Sequence, residues 1–229
     1  MLAQPGQESD RIPFWRSVCF LLRSRAYLAL LAGATLMGLN VFASAVWTPT
    51  FLTRVHGLSL GEIAATIGPI RGACGITGVL LGGMLIDRLG RKAPHWRMTL
   101  PAVACILVGP AEALFALSDA HPVWLGAFAA SGFLLLIHQG PVFAAVMVVA
   151  HVRMRAVATS ILLFCAAMFG QAVGPLAVGM MNDALAARLG EHAIRYSMLM
   201  IALTAILAGL MFLLAGRFIA ADAKRAADQ

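Results

Sequence analysis

Residues 82–92 read GGMLIDRLGRK. Two glycines and a short apolar turn run into Asp87, Arg88, Arg91 and Lys92, and within a few residues the chain is apolar again. A water-soluble domain has no reason to collect its charges into brief interruptions between long apolar runs. Of the 229 residues, 61% are hydrophobic and only 12% charged, against roughly 25% charged in ordinary soluble domains. Too few charges remain to cover a globule of this size, so the stretch reads as a polar interruption between membrane spans.

The formal net charge is +7, which raises nucleic acid as a partner. The basic residues, however, are confined to short gaps between apolar runs. Gaps of that kind fit loops at an anionic membrane surface, not a basic patch that grips a duplex. Nucleic acid is therefore not an expected partner, and the lipid bilayer is. Cys19, Cys74, Cys105 and Cys165 lie in or beside apolar runs with no CxxC pair, which argues against a disulfide framework or a zinc site. Residues 1–14, MLAQPGQESDRIPF, are polar and partly acidic and carry no visible cleavable signal peptide.

A membrane-crossing helix needs about 20 mostly apolar residues. Six stretches qualify: 26–48, 62–86, 98–117, 122–148, 156–182 and 194–217. Only helices or closed barrels can cross lipid, because every backbone polar group must be paired internally. These runs lack the alternation of barrel strands, so the expected fold class is all-α integral membrane with six transmembrane helices. Trp15, Trp47, Trp96 and Trp124, with Tyr27 and Tyr196, fall at or near the span ends, where an aromatic belt belongs. Ser59 and Glu62 have the spacing of a capping box at the start of the second helix. Residues 13–25, PFWRSVCFLLRSR, fit an interfacial helix or, equally, a frayed extension of the first span.

Lysine and arginine set the expected orientation. Arg11, Arg16, Arg23, Arg25, Arg88, Arg91, Lys92, Arg97, Arg153, Arg155, Arg217, Lys224 and Arg225 fall on one side of the six spans, 13 in all. Arg54, Arg188 and Arg195 make three on the other side. The positive-inside rule places both termini and the DRLGRK loop in the cytoplasm, the membrane then being the cytoplasmic, or inner, one.

The opening stretch has an echo. Gly78, Gly83, Met84 and Asp87 spell G-x4-G-M-x2-D, and Gly174, Gly179, Met180 and Asp183 spell it again 96 residues later. Each copy closes the middle span of a group of three, on opposite sides of the membrane, as an inverted three-plus-three repeat requires. Gly68, Gly72, Gly75, Gly78 and Gly82 recur at three- and four-residue spacing, as do Gly170 and Gly174. Such seams let helices approach closely. Pro69, Pro110, Pro141 and Pro175 lie inside spans, where each frees a carbonyl and invites a bend.

The motif around Asp87 resembles the major facilitator signature between the second and third helices of each six-helix half, with Gly83, Asp87, Arg88, Gly90, Arg91 and Lys92 in matching places. VWTPTFLTRVHGLSLGEIA, RMRAVATSILLF and GQAVGPLAVGMMNDAL resemble, more narrowly, the C-terminal half of bacterial Spinster-like members, over about 14–220. The resemblance implies a domain plan. Residues 1–25 would be the cytoplasmic segment that corresponds to the linker between halves, 26–218 a six-helix half, and 219–229 a cytoplasmic tail. It also implies that the six motif residues latch helix ends together on the cytoplasmic side, although a basic loop that only fixes topology has the same composition. The family has twelve spans. A six-span chain is therefore expected to form a homodimer, to pair with a second six-helix half, or to be a truncated product without transport of its own.

Charges inside spans are rare and costly, and are usually functional. Arg71 lies some nine residues into the second span and Glu112 about six residues inside the third, at depths of roughly 13 and 9 Å from the same side. They either pair with each other, or Arg71 faces a central cavity and attracts an anionic substrate or senses proton movement while Glu112 reaches to the interface. Asn40, His138, Gln139 and Gln171 are the uncharged candidates. By the family's rule they fall on cavity-lining helices. His138 could serve proton coupling or could be a neutral core residue bonded to a backbone carbonyl.

The expected function is secondary transport of a small organic or amphipathic solute by rocking of one unit against another. Spinster-like relatives are associated with lipids and amphipathic solutes, and Arg71 would suit an anionic one. No Walker motif, HExxH or GxSxG is present, so neither direct ATP drive nor enzymatic activity is expected, and no cofactor or metal. The competing expectation is a non-transporting membrane subunit that acts only through helix–helix contact.

Overall fold

The computed structural model describes residues 14–93 and 95–227, and these are almost entirely helical. The helices are α1 (Phe14–Leu22), α2 (Arg25–His56), α3 (Leu60–Lys92), α4 (Trp96–Leu117), α5 (His121–Leu135), α6 (Gln139–Val149), α7 (Arg155–Leu189) and α8 (Ala193–Ala227). One-turn 3-10 segments, Val152–Met154 and Gly190–His192, precede α7 and α8. Five stretches are long and apolar enough to cross a membrane, and the last, Val152–Arg225, holds both α7 and α8. With α5 and α6 forming one crossing between them, the described residues make six.

The sequence marks several boundaries. Ser59 caps α3 and Glu62 reaches back to the Ser59 backbone N–H at 2.8 Å, so the capping box is formed. Gly57 stops α2 in the left-handed conformation (φ 67°), where its N–H closes on the Leu52 carbonyl, a backbone state that favours glycine. The helices overrun the apolar stretches that announced them. α2 has 32 residues, about 48 Å of helix, against a hydrocarbon layer of about 30 Å. α3 likewise runs on through Lys92, which corrects the expectation of a DRLGRK loop. These residues are the last two turns of a helix, with Arg91 Nε donating to the Asp87 carbonyl at 3.2 Å. For residues 13–25 the sequence allows an interfacial helix or an extension of the first span. Phe14–Leu22 is a helix of its own, ending before Ser24 caps α2.

Packing follows an inverted repeat. α4 and α8 cross at the centre; α2 packs on α8 and α7, and the α5–α6 pair packs on α4 and α3 in the same relation. The tightest crossings come in matched sets. At Gly109 on α4, a Cβ would press Ala202 O of α8 at 2.9 Å; at Gly209 on α8, it would press Ala102 O of α4 at 2.6 Å. At Gly78 on α3 the obstructing atom is the Phe133 carbonyl of α5, and at Gly174 on α7 it is the Leu39 carbonyl of α2, 2.8 Å away. Gly78 and Gly174 are the first glycines of the two sequence copies, so the repeat in the sequence is a repeat in the packing. Gly75 and Gly82 join this seam, whereas Gly68 and Gly72 face open space. The expected five-glycine seam is therefore three glycines long, and its other two lie nearer the start of α3, where no neighbouring helix closes on them.

The fourth span corrects the sequence reading. A single helix over 122–148 is expected, but the chain breaks at residues 136–138. Pro141 has no N–H to give the Ile137 carbonyl, and His138 Nδ1 lies 2.6 Å from the Leu135 carbonyl, replacing a backbone partner with a ring nitrogen. Trp124 is a second correction. Expected in an interfacial belt, it is only 2% exposed and sits in an aromatic cluster with Phe115, Phe128 and His56.

Polar contacts tie the ends of the bundle. Tyr27 donates to the Ala158 carbonyl at 2.8 Å, joining α2 to α7. At the opposite end Arg195 pairs with Asp119 and donates to the Leu117 carbonyl at 3.1 Å, closing the last turn of α4. Asp222, near the end of α8, accepts from Ser24 Oγ at 2.7 Å and from the Ala26 N–H at 2.9 Å. It therefore serves the start of α2, where unpaired N–H groups favour an anion. Asp222→Ala is expected to cost about 1 kcal/mol, read as a fall of a few degrees in the unfolding temperature of the detergent-solubilised protein.

Candidate functional site

The polar residues buried among apolar helices gather at one place. Asn40, in the middle of α2, is 0% exposed. Its Nδ2 donates to Glu112 Oε2 on α4 at 2.8 Å and to the Ile201 carbonyl on α8 at 3.0 Å. The carboxylate thus has a donor fixed by two other helices. Asn40 Oδ1 is buried with no partner, so the amide is turned wholly to serve as a donor. A carboxyl oxygen accepts such a bond whether or not the group carries a proton.

Arg71, on α3, lines the same small cavity as Glu112, with Ser44, Thr48 and Ser131. The two charges share the cavity without closing to 4.0 Å; among the described residues the ion pair at that distance joins Arg195 and Asp119. Arg71 is partly exposed, beside Gly68 and Gly72, which leave the surface of α3 open. It stands between the enclosed carboxylate and the outside of the bundle. The cavity measures about 20 Å³, room for about one water molecule. Sites for organic ligands are typically about 300–1,000 Å³, so this cavity holds no organic solute.

The other candidates are placed elsewhere. His138 sits at the α5–α6 break, buried, with its ring stacked on Phe212 of α8 at 5.8 Å. Gln139, the first residue of α6, and Gln171, on α7, are exposed. The structure therefore brings Asn40, Arg71 and Glu112 together and leaves His138, Gln139 and Gln171 apart from them. In the motif, Gly83 has open space around it, while a Cβ on Gly90 would meet the Arg97 side chain at 2.9 Å. Asp87, Arg88, Arg91 and Lys92 are exposed, and among the described residues no side chain pairs with the Asp87 carboxylate. Sequence reasoning passes over Ser44, Thr48 and Ser131. The i, i+4 spacing of Ser44 and Thr48 is a usable signal, and their hydroxyls lie 3.3 Å apart.

Two inverted three-helix units around a central α4–α8 crossing, with a buried polar cluster beside it, define an integral membrane protein of the transporter type of fold. Residues 3–175 match the Major Facilitator Superfamily, and the chain belongs to that family. An MFS-type efflux pump of Mycolicibacterium smegmatis (strain ATCC 700084 / mc(2)155) is 31% identical over 181 residues, covering 79% of this chain and 42% of the pump. Protein spinster homolog 3 of Danio rerio is 26% identical over 241 residues, covering 96% of this chain and 48% of that protein. The crystal structure of a bacterial homolog of the human lysosomal transporter Spinster, inward-facing and unoccupied, superposes with a TM-score of 0.80 at 21% identity. It covers 96% of this chain and 53% of the other. An inward-facing, occupied structure gives 0.75 at 22% identity, over 87% and 50%. The chain spans about half the length of the relatives it matches.

Proposed function

We propose that the chain is one six-helix half of a secondary transporter for a small organic or amphipathic solute, corresponding to the C-terminal half of a Spinster-like protein. The observation that carries this reading is the Asn40–Glu112–Arg71 cluster, a pair of opposite charges kept inside an apolar bundle at a place too small for a solute. A charge pair is costly there and contributes little to stability when buried, which leaves a functional reason for it. The solute binds where two halves face each other, and Arg71 is the group that reaches from the enclosed carboxylate toward that space. An anionic solute and Glu112 compete for Arg71. Protonation of Glu112 releases the guanidinium to the solute, and loss of the proton draws it back, which couples solute movement to a proton gradient.

In this arrangement the second half is another copy of the chain or another six-helix unit. Asp87 and Arg88 meet it at the cytoplasmic end, in the orientation given by the excess of basic residues there, with the inner membrane as the location. The mass of the particle extracted gently from its native membrane tests the reading. Two six-helix units per particle are expected. A lone 24.1 kDa unit has no face-to-face pathway, and that result would sink the transport reading for the chain and favour the non-transporting subunit.

A further inference from the structure

At the arginine-rich end, α1, the segment between α6 and α7, and the end of α8 enclose a groove of about 410 Å³ that the transport reading does not use. Its basic lining comes from three separate parts of the chain: Arg16 and Arg23 on and just after α1, His151 before α7, and Arg225 on α8. Among the described residues no acidic side chain lines it. The nearest on α8, Asp222, is turned away and engaged with Ser24 and Ala26. Arg225 is held in place, its guanidinium 5.0 Å over the Phe20 ring and one nitrogen donating to the Arg23 carbonyl at 3.2 Å. The remaining N–H groups of its fork are unspent. Among the described residues neither Arg16 nor Arg23 has an ion-pair partner.

An apolar edge runs beside these charges. Trp15 is 71% exposed, and Leu22, two helical turns further along the same side of α1, is 51% exposed, with Phe14 next to them. In water such an edge has no purpose, and beside a cluster of arginines it has the chemistry of a headgroup-level site. We propose that this groove binds the phosphate of an anionic phospholipid, whose acyl chains lie along Trp15 and Leu22. Guanidinium groups suit a phosphodiester because they present paired donors to paired oxygens. A free phosphate would satisfy the arginines but would leave the apolar edge bare, so the site is assigned to a lipid. The bound lipid joins α1 to the end of α8 and to the start of α7, three segments that otherwise touch through few side chains.

The test uses the intact particle in phosphatidylcholine nanodiscs with increasing fractions of brominated phosphatidylglycerol, read by quenching of tryptophan fluorescence. Quenching is expected to saturate at a low phosphatidylglycerol fraction. Arg16→Gln/Arg23→Gln should shift the midpoint upward by about tenfold, while Arg16→Lys/Arg23→Lys, which keeps the charge but not the paired donors, should recover only part of the affinity. Both positions are exposed, so the unfolding temperature should stay unchanged. Equal quenching by brominated phosphatidylcholine, or a midpoint unmoved in the Gln variant, overturns the proposal. Competition by millimolar inorganic phosphate would reassign the groove to a soluble anion. If Glu8→Gln/Asp10→Asn is needed before any phosphatidylglycerol preference develops, the occupant is the chain's own acidic segment and the lipid assignment fails.

Discussion

Gly78→Leu is expected to abolish recovery of folded protein, while Gly83→Leu, five residues along the same helix, leaves each six-helix unit folded. A side chain at position 78 would have to occupy the volume of the Phe133 carbonyl of α5. That obstacle is backbone, which cannot rotate aside, so α3 and α5 must separate along their length. Overpacking of a closed core costs about 1–3 kcal/mol when side chains can move, and more is expected where only backbone can yield. Membrane helices that associate through close backbone approach have little other force to hold them. Gly83 meets nothing within 4 Å. Size-exclusion profiles of the two variants after identical extraction decide the matter. If Gly78→Leu runs as a sharp peak, the α3–α5 crossing is looser than described. The same experiment separates the two readings of the motif. As part of a surface that meets a second half, Gly83→Leu should lower the paired fraction of particles without changing the stability of each unit. As a topology signal alone, it should change neither.

The second large effect is expected at Glu112. Gln has the same shape and still accepts from Asn40 Nδ2, now 2.8 Å from the carboxylate, but it cannot gain or lose a proton. In the assembled particle, reconstituted in vesicles with a fluorescent amphipathic anion as probe, Glu112→Gln should lose accumulation driven by a proton gradient by more than about tenfold. Exchange of the probe across the membrane without a gradient should persist, because neither the bundle nor Arg71 is altered. Arg71→Ala should lose both. If Glu112→Gln accumulates the probe as the wild type does, the cluster is structural and coupling resides elsewhere. If exchange is lost with accumulation, Glu112 is required for the pathway itself and its proton is not the coupling element.

Much of the architecture can be read from the chain. Apolar runs near 20 residues and the Ser59–Glu62 box need only local information, and the helices begin where those signals stand. The repeat is legible because the two copies carry the same glycines in the same order, and Gly78 and Gly174 make equivalent crossings. Helix ends are less legible, since hydropathy marks where lipid would be and α2 and α3 continue well past it. The break at residues 136–138 is announced by Pro141 only as a bend. The contribution of His138, a ring nitrogen in place of a backbone donor, depends on a side-chain rotation that spacing does not encode.

The candidate site shows the same division. Asn40, Arg71 and Glu112 are each conspicuous as polar residues within apolar runs, but their grouping cannot be read. Asn40 and Glu112 are 72 positions apart, and they meet because α2 and α4 both pack on α8. The placement of Arg71 beside Glu112 is open to depth arithmetic alone, which brings the two near each other without saying whether they touch. Gln139 and Gln171 are equally conspicuous and lie on the surface, since periodicity over so apolar a helix does not distinguish one face from another.

The interrupted fourth crossing has no counterpart in the first, where α2 is one uninterrupted helix of 32 residues. Two units that match in layout therefore differ in stiffness. A bending load applied to the bundle is spread over the whole of α2 on one side and is concentrated at Leu136–His138 on the other. The two inverted units therefore differ in where they can bend, with a joint at residues 136–138 in one and a continuous helix at the matching place in the other.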